Sequence, residues 1–257
     1  MQVETEPVHV DQVEKLTRVI AKAAQISSQD REKLEAVNQT RHVRPTAGGF
    51  TLVNITHESP QLGWPFDNMK ALLKQLDKKA KPTRKKAREK ELQSALIRDA
   101  YANGRHLRAL EKASEHTDEP VQLLFVGDEL SLPRGEKKRV VCDLLALRVD
   151  GGFSRPVLLE LKSSRNQKEL LGQLEEYTKV MLAHEQLFAQ FYGAVLGREI
   201  RFDGPPERWI VWPQAKGHEV DPREGDFRAE KAPVRLVSYA GEGPEYSFRV
   251  GNSVRRE

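Results

Sequence analysis

The sequence predicts an α/β (α+β) protein in which a mixed central sheet is flanked by helices and preceded by a mainly helical appendage. Three observations predict it. Short apolar runs bounded by turn residues recur at Val121 to Val126, Val140 to Val149, Val157 to Leu159, Arg208 to Trp212, Val234 to Tyr239 and Tyr246 to Val250, and runs of that length rich in β-branched and aromatic residues read as strands. Between them lie stretches whose apolar residues return every three or four positions, the spacing of one helix face. The first 66 residues carry helical spacing with a single strand-like run.

The elements follow in order. Asp11 with Glu14 three positions on reads as a capping box, and Val13, Leu16, Val19, Ile20 and Ala23 then predict a helix from Asp11 to Gln25. Ser27 with Asp30 repeats the signal for a second helix ending near Asn38. Glycines and prolines break the pattern from Arg41 to Pro65 around one strand, Phe50 to Ile55, with Trp64 and Phe66 as packing residues. Asp67 caps a helix with Met69, Leu72, Leu73 and Leu76. Pro82 suits the first turn of a new helix, predicted from Thr83 to the stop at Asn103-Gly104. Arg105 to Pro120 carries no assignable pattern. Val121 to Val126 and the run at Val140 form a hairpin around Pro133-Arg134-Gly135, and Gly151-Gly152 turns the chain again into the run at Val157. Leu170 to Leu182 and Glu185 to Leu196 predict two further helices, and three strands close the sheet.

Composition bounds the function. The chain has 257 residues, 31% of them charged and 38% hydrophobic, and a net charge of +4. No apolar run reaches the ~20 residues a membrane helix needs, and the polar start MQVETEPVHVD lacks a signal-peptide pattern; a cytoplasmic protein is expected. One cysteine excludes an internal disulfide and a cysteine-based zinc site. From Lys74 to Lys90 nine cations (Lys74, Lys78, Lys79, Lys81, Arg84, Lys85, Lys86, Arg88 and Lys90) face two acids. Taken alone such a run is a solvated linker, but directly before the helix discussed next it suits a phosphate backbone.

The chemistry concentrates between Arg139 and Tyr177. Asp143 is set inside an apolar run, where a lone carboxylate is costly. Seventeen positions on, Glu160-Leu161-Lys162 ends the next run with two charges on one face of a strand, because side chains alternate. A hairpin through Gly151-Gly152 sets Asp143 beside Glu160. Two carboxylates and a lysine at a sheet edge suit a hard divalent cation, with an amine left to meet negative charge.

Asp143 followed by Glu160-Leu161-Lys162 resembles the D…(D/E)xK signature of the PD-(D/E)XK nuclease superfamily, with Cys142 where the family name has proline. Gln173 and Tyr177 are similar to the QxxxY pair of its RecB-like branch, and Arg88 to Gln93 resembles the glutamate-bearing first helix of that fold. The resemblance implies a restriction-endonuclease-like core over residues 82–257, after an N-terminal helical appendage with a basic linker over 1–81. It implies a metal-dependent nuclease, acting on DNA more than RNA, with Mg²⁺ or Mn²⁺ held by Asp143, Glu160 and the carbonyl of Leu161. Lys162 would orient the attacking water or stabilise charge. Glu89, preferred to Glu91 by its face shared with Leu92 and Leu96, would add a ligand through water. Gln173 and Tyr177 would fix their helix over the site and touch the scissile strand. The basic run would contact nucleic acid, and cutting both strands of a duplex would favour a homodimer. Two other classes stay open: a nucleic-acid-binding module without activity, and a protein-interaction scaffold whose carboxylates are met by Arg139, Arg148, Arg155 or Arg165.

Other chemistries leave no trace. The seven histidines form no zinc-binding spacing and read as surface or packing residues. There is no GxxxxGK[ST] loop for nucleotide and no GxSxG elbow, and Cys142 lies in a run that buries it. Trp209 and Trp212 could stack on bases, although in such strands aromatic residues belong more often to the core.

Overall fold

The computed structural model describes residues 7–38, 41–46, 49–54, 60–64, 88–115, 121–136, 138–165, 170–217, 234–242 and 245–250. In chain order these form α1 (Asp11–Ala23), α2 (Ser28–Asn38), β1 (Arg41–Thr46), β2 (Gly49–Asn54), β3 (Pro60–Trp64), α3 (Arg88–Ala102), α4 (Arg108–Ser114), β4 (Gln122–Arg134), β5 (Lys138–Asp150), β6 (Phe153–Leu161), α5 (Leu170–Ala183), α6 (Glu185–Leu196), β7 (Glu207–Pro213), β8 (Val234–Ala240) and β9 (Ser247–Val250). The protein is mixed α/β. No helix among the described residues is long and apolar enough to cross a membrane.

Six strands form the central sheet in the order β4-β5-β6-β7-β8-β9. The two predicted hairpins are its first half: β4 pairs antiparallel with β5, and β5 with β6. Gly151 and Gly152 make the second turn with φ of 53° and 102°, a region that side chains with a Cβ rarely enter. Beyond β6 the chain crosses over through α5 and α6 and returns parallel, so β6, β7 and β8 are parallel neighbours before β9 closes antiparallel. A crossover of this kind needs a dozen or more residues, which two helices supply.

Strand alternation gives the sheet a core on each face. On one face Leu145, Leu147, Leu158, Ile210 and Trp212 pack with Leu174, Tyr177, Phe188 and Tyr192 of α5 and α6. On the other, Leu144, Leu159, Trp209 and Val211 pack with Leu92 and Leu96 of α3 and Leu107 and Leu110 beside and within α4. Leu158 and Leu159 are both fully buried, on opposite faces; burying one such side chain contributes ~1.5–3 kcal/mol. Val13 and Leu16 of α1 join the first core, so this helix is packed on the sheet's own helix layer.

Several expectations are corrected. Asp11 does not cap α1: Val10 is the N-cap, without a side-chain bond, and Asp11 is the first helical residue, paired with Lys15 one turn on. For α2 the signal is correct, the Ser27 hydroxyl accepting the Asp30 amide at 3.2 Å. The break from Arg41 to Pro65 holds a three-stranded antiparallel sheet, β1-β2-β3, where one strand was expected; Pro45 and Pro60, read as breakers, sit within β1 and open β3. Arg105 to Pro120 contains α4, a helix of 7 residues too short to show a period. Trp209 and Trp212 are fully buried, and the guanidinium groups of Arg235 and Arg165 lie 5.1 and 4.6 Å from their ring centres, so neither face is open to a base. The helix expected after Asp67, the basic run from Lys74 to Lys86, the start of a helix at Thr83, the boundary at 81–82 and the packing of Trp64 and Phe66 lie outside the described residues.

Candidate active site

The β5–β6 register pairs Leu144 with Leu159, which leaves Asp143 and Glu160 as the next residues on the two strands. They meet as the hairpin expectation requires: the Leu161 amide donates to Asp143 Oδ2 at 2.8 Å. Asp143 stands where β5 changes face, since Cys142 belongs to the core under α5 and Leu144 to the core under α3. Glu160 near the end of β6 and Lys162 just past it are joined at 2.7 Å from Nζ to Oε1. The lysine backbone is held on both sides, its amide donating to Val211 O at 2.8 Å and its carbonyl accepting the Tyr239 hydroxyl at 3.1 Å.

α3 brings the third carboxylate. Leu92 and Leu96 anchor its inner face, fully or almost fully buried, and Glu89 lies one turn earlier on that face. Its Oε1 accepts both the Ser163 amide at 2.9 Å and the Ser163 hydroxyl at 3.1 Å. Glu89 is therefore the helix carboxylate that meets the end of β6, immediately after Lys162.

Negative charge is in excess here. Burial, then the nearby charge of Asp143, pushes the Glu160 carboxyl up to about 7 despite Lys162. Burial also raises the Asp143 carboxyl, against the Leu161 amide, Lys162 and Lys90, with Glu89 adding to the rise. Burial works to lower the Lys162 amine, but the charge and hydrogen bond of Glu160 outweigh it and hold it above the usual lysine range. A site in which carboxylates destabilise one another is one a cation would relieve.

The other predicted residues are placed differently. Tyr177 is fully buried, edge-on to Phe188 at 6.2 Å between ring centres, with its hydroxyl donating to Leu130 O at 3.4 Å. It seats α5 on the sheet and does not face a substrate, because a residue at an inward helical position is spent on the core. Gln173, four residues earlier, is exposed. Of the arginines considered for satisfying the strand carboxylates, Arg148 instead meets Glu207 at 2.8 Å, and Arg165 lies over Trp212.

A second polar cluster escaped the sequence reading. His42 Nε2 lies 2.7 Å from Asp128 Oδ1, and Arg44 bonds both Asp128 and Glu129. Consecutive strand residues normally point to opposite faces; Glu129, with φ of 45°, breaks that alternation and lets both acids reach one guanidinium. Lys90 pairs with Glu129 and donates to Gln93 Oε1 at 3.1 Å, and Gln93 Nε2 donates to the Asp143 carbonyl at 3.1 Å. The signal was Asp128-Glu129 inside an apolar run, the same anomaly that marked Asp143.

Among the described residues no three His, Cys, Asp or Glu side chains gather into a ready metal-ligand set. The donor chemistry nevertheless fits a small hard cation: one oxygen each of Asp143 and Glu160 is engaged by Leu161 and Lys162, leaving the other of each, and Mg²⁺ is commonly held by one or two carboxylates while keeping several waters. Comparison with protein-family models, curated proteins and solved structures finds no match to this chain.

Proposed function

We propose that the protein is a metal-dependent nuclease of the PD-(D/E)XK kind, with a restriction-endonuclease-like core and DNA as its substrate. One observation carries the reading: the β5–β6 pairing joins Asp143 to the Glu160-Leu161-Lys162 strand end, through the Leu161 amide, at 2.8 Å. Bound by Asp143 and Glu160, with the Leu161 carbonyl as a further oxygen, Mg²⁺ or Mn²⁺ would polarise the phosphodiester and lower the pKa of a water. Lys162 keeps its proton, a positive charge that would meet the negative charge growing on the phosphoryl oxygens. Glu89 acts on position, tying Ser163 so that the strand end cannot swing away. Tyr177 and the core around it set the helix that covers this face.

A second reading, binding of nucleic acid without cleavage, is favoured by the grip of Lys162 on Glu160. Incubating the purified full chain with plasmid, single-stranded DNA and RNA separates the two. Cleavage with Mn²⁺ or Mg²⁺ that stops with EDTA and in Asp143→Asn supports the nuclease. A salt-sensitive gel shift with no cut in any of the three substrates replaces it with the binding module.

A further inference from the structure

A cavity of about 180 Å³ lies between the N-terminal elements and the central sheet, away from the strand end that carries Lys162. Leu16 and Ile20 of α1 and Phe191 and Val195 of α6 form its apolar wall, and His42, Arg44 and Asp128 form its polar end. An apolar cavity of about 150 Å³ in another protein holds a benzene ring, so the space suits one ring or a short hydrocarbon chain.

The polar end is built and incomplete. The His42 and Asp128 side chains are 4% and 2% exposed. Nε2 of His42 must carry a proton, because the Asp128 carboxylate can only accept. Among the described residues neither His42 Nδ1 nor Arg44 Nε has a hydrogen-bond partner, and both atoms are buried. Arg44 Nε–H is a donor in every protonation state, and leaving a buried donor unmet costs ~1–3 kcal/mol. Arg44 and Arg105 both line the cavity, the Arg44 terminal nitrogens being held by Asp128 and Glu129, which leaves its Nε as the unmet donor.

We infer that this cavity binds a small, mostly apolar carboxylate of single-ring size, its oxygens accepting from Arg44 Nε while its hydrocarbon part lies against α1 and α6. The inference does not depend on nuclease activity. The site also touches the chain of contacts that runs from Arg44 through Glu129, Lys90 and Gln93 to the Asp143 carbonyl, so its occupant sits at the far end of that relay.

The test uses the full chain labelled with ¹⁵N, titrated with benzoate and, separately, with benzyl alcohol, while the arginine Nε–H signals are followed by NMR. The Arg44 signal is assigned by its loss in Arg44→Lys. Benzoate is expected to shift that signal and the Phe125 and Val126 amides, and to bind about tenfold more tightly than the alcohol, the gain of one charge-assisted hydrogen bond. Val195→Phe, which fills the apolar wall and leaves the polar end intact, is expected to abolish the response. An Arg44 signal unmoved by benzoate overturns the proposal, whether or not the filled variant folds. Equal binding of the alcohol overturns the carboxylate assignment.

Discussion

Two regions of the molecule bury acids on strands of one sheet, β4 and β6 on either side of β5, and treat them in opposite ways. At Asp128 burial works to raise the carboxyl, but the charges of His42 and Arg44 outweigh it and hold the group well below the usual carboxylate range. At Glu160 burial and Asp143 prevail over Lys162, and the carboxyl rises to about 7. The first acid is matched and holds β1 against β4; the second is left with a charge surplus that only another cation would match. Burial marks both as important, and the balance of charge around each separates an anchor from a candidate site.

The comparison predicts opposite mutational signatures. Asp143→Asn or Lys162→Ala is expected to lower cleavage by about 10²–10³-fold, the scale of losing a pre-positioned electrostatic group; in Asp143→Asn the thermal midpoint holds or rises because a repulsion is removed, whereas Lys162→Ala strips Glu160 of its cation and lowers the midpoint. Rates on plasmid and melting curves from the same preparation check it. A large fall in the midpoint of Asp143→Asn would make that residue an anchor too. Asp128→Ala is expected to do the reverse at its own site, costing ~1–3 kcal/mol because buried His42 Nε2 loses its partner while Arg44 is left with Glu129; urea unfolding measures it.

How far each region could be read from sequence follows from the same physics. Asp143 and Glu160-Leu161-Lys162 were legible because their charges interrupt strand-length apolar runs, and the Gly151-Gly152 turn sets which residues face each other. Glu89 was legible from its spacing to Leu92 and Leu96. The cluster at Asp128 was not, because its partners His42 and Arg44 lie 86 and 84 residues away on a strand broken by Pro45, and the bend that aligns Asp128 with Glu129 is a backbone angle no pattern announces. Tyr177 was visible as an inward helical position, but spacing cannot say whether inward means the site or the core.

Stability against pH should separate the regions in metal-free protein. The folded Glu160 carboxyl binds its proton up to about 7, whereas the ordinary value for such a group is 4.5. Between those values the folded state holds more protons than the unfolded, so stability falls as pH rises through the window, by about 3 kcal/mol. Asp128 has the opposite sign: its folded carboxyl lies below the ordinary value of 3.8, so its contribution is complete above that pH and lost as the solution is acidified beneath it. Glu160→Gln should flatten the upper window and leave the acid limb unchanged. Mg²⁺ should raise the wild-type midpoint more at pH 8 than at pH 5, where protonated carboxyls bind it poorly; an equal rise at both would remove Glu160 from the metal.

The finest comparison lies within one turn of α3, where three successive residues divide between the regions. Glu89 bonds Ser163 at the strand end, and Lys90 pairs with Glu129 in the other cluster; Glu91 was the rival for the inward role. Glu89→Gln keeps an oxygen that can still accept from Ser163 but removes the charge, so it should slow cleavage about tenfold, ~1.4 kcal/mol, with little change in the midpoint. Lys90→Met removes a partly exposed ion pair and should cost ~0.5–1 kcal/mol of stability, near the upper end for such pairs, with a smaller effect on rate. Glu91→Gln should stay within about 0.5 kcal/mol of wild type and leave cleavage unchanged. If Glu91→Gln slowed the reaction and Glu89→Gln did not, the helix would deliver its carboxylate from the next turn position, and the contact between Glu89 and Ser163 would be structural alone.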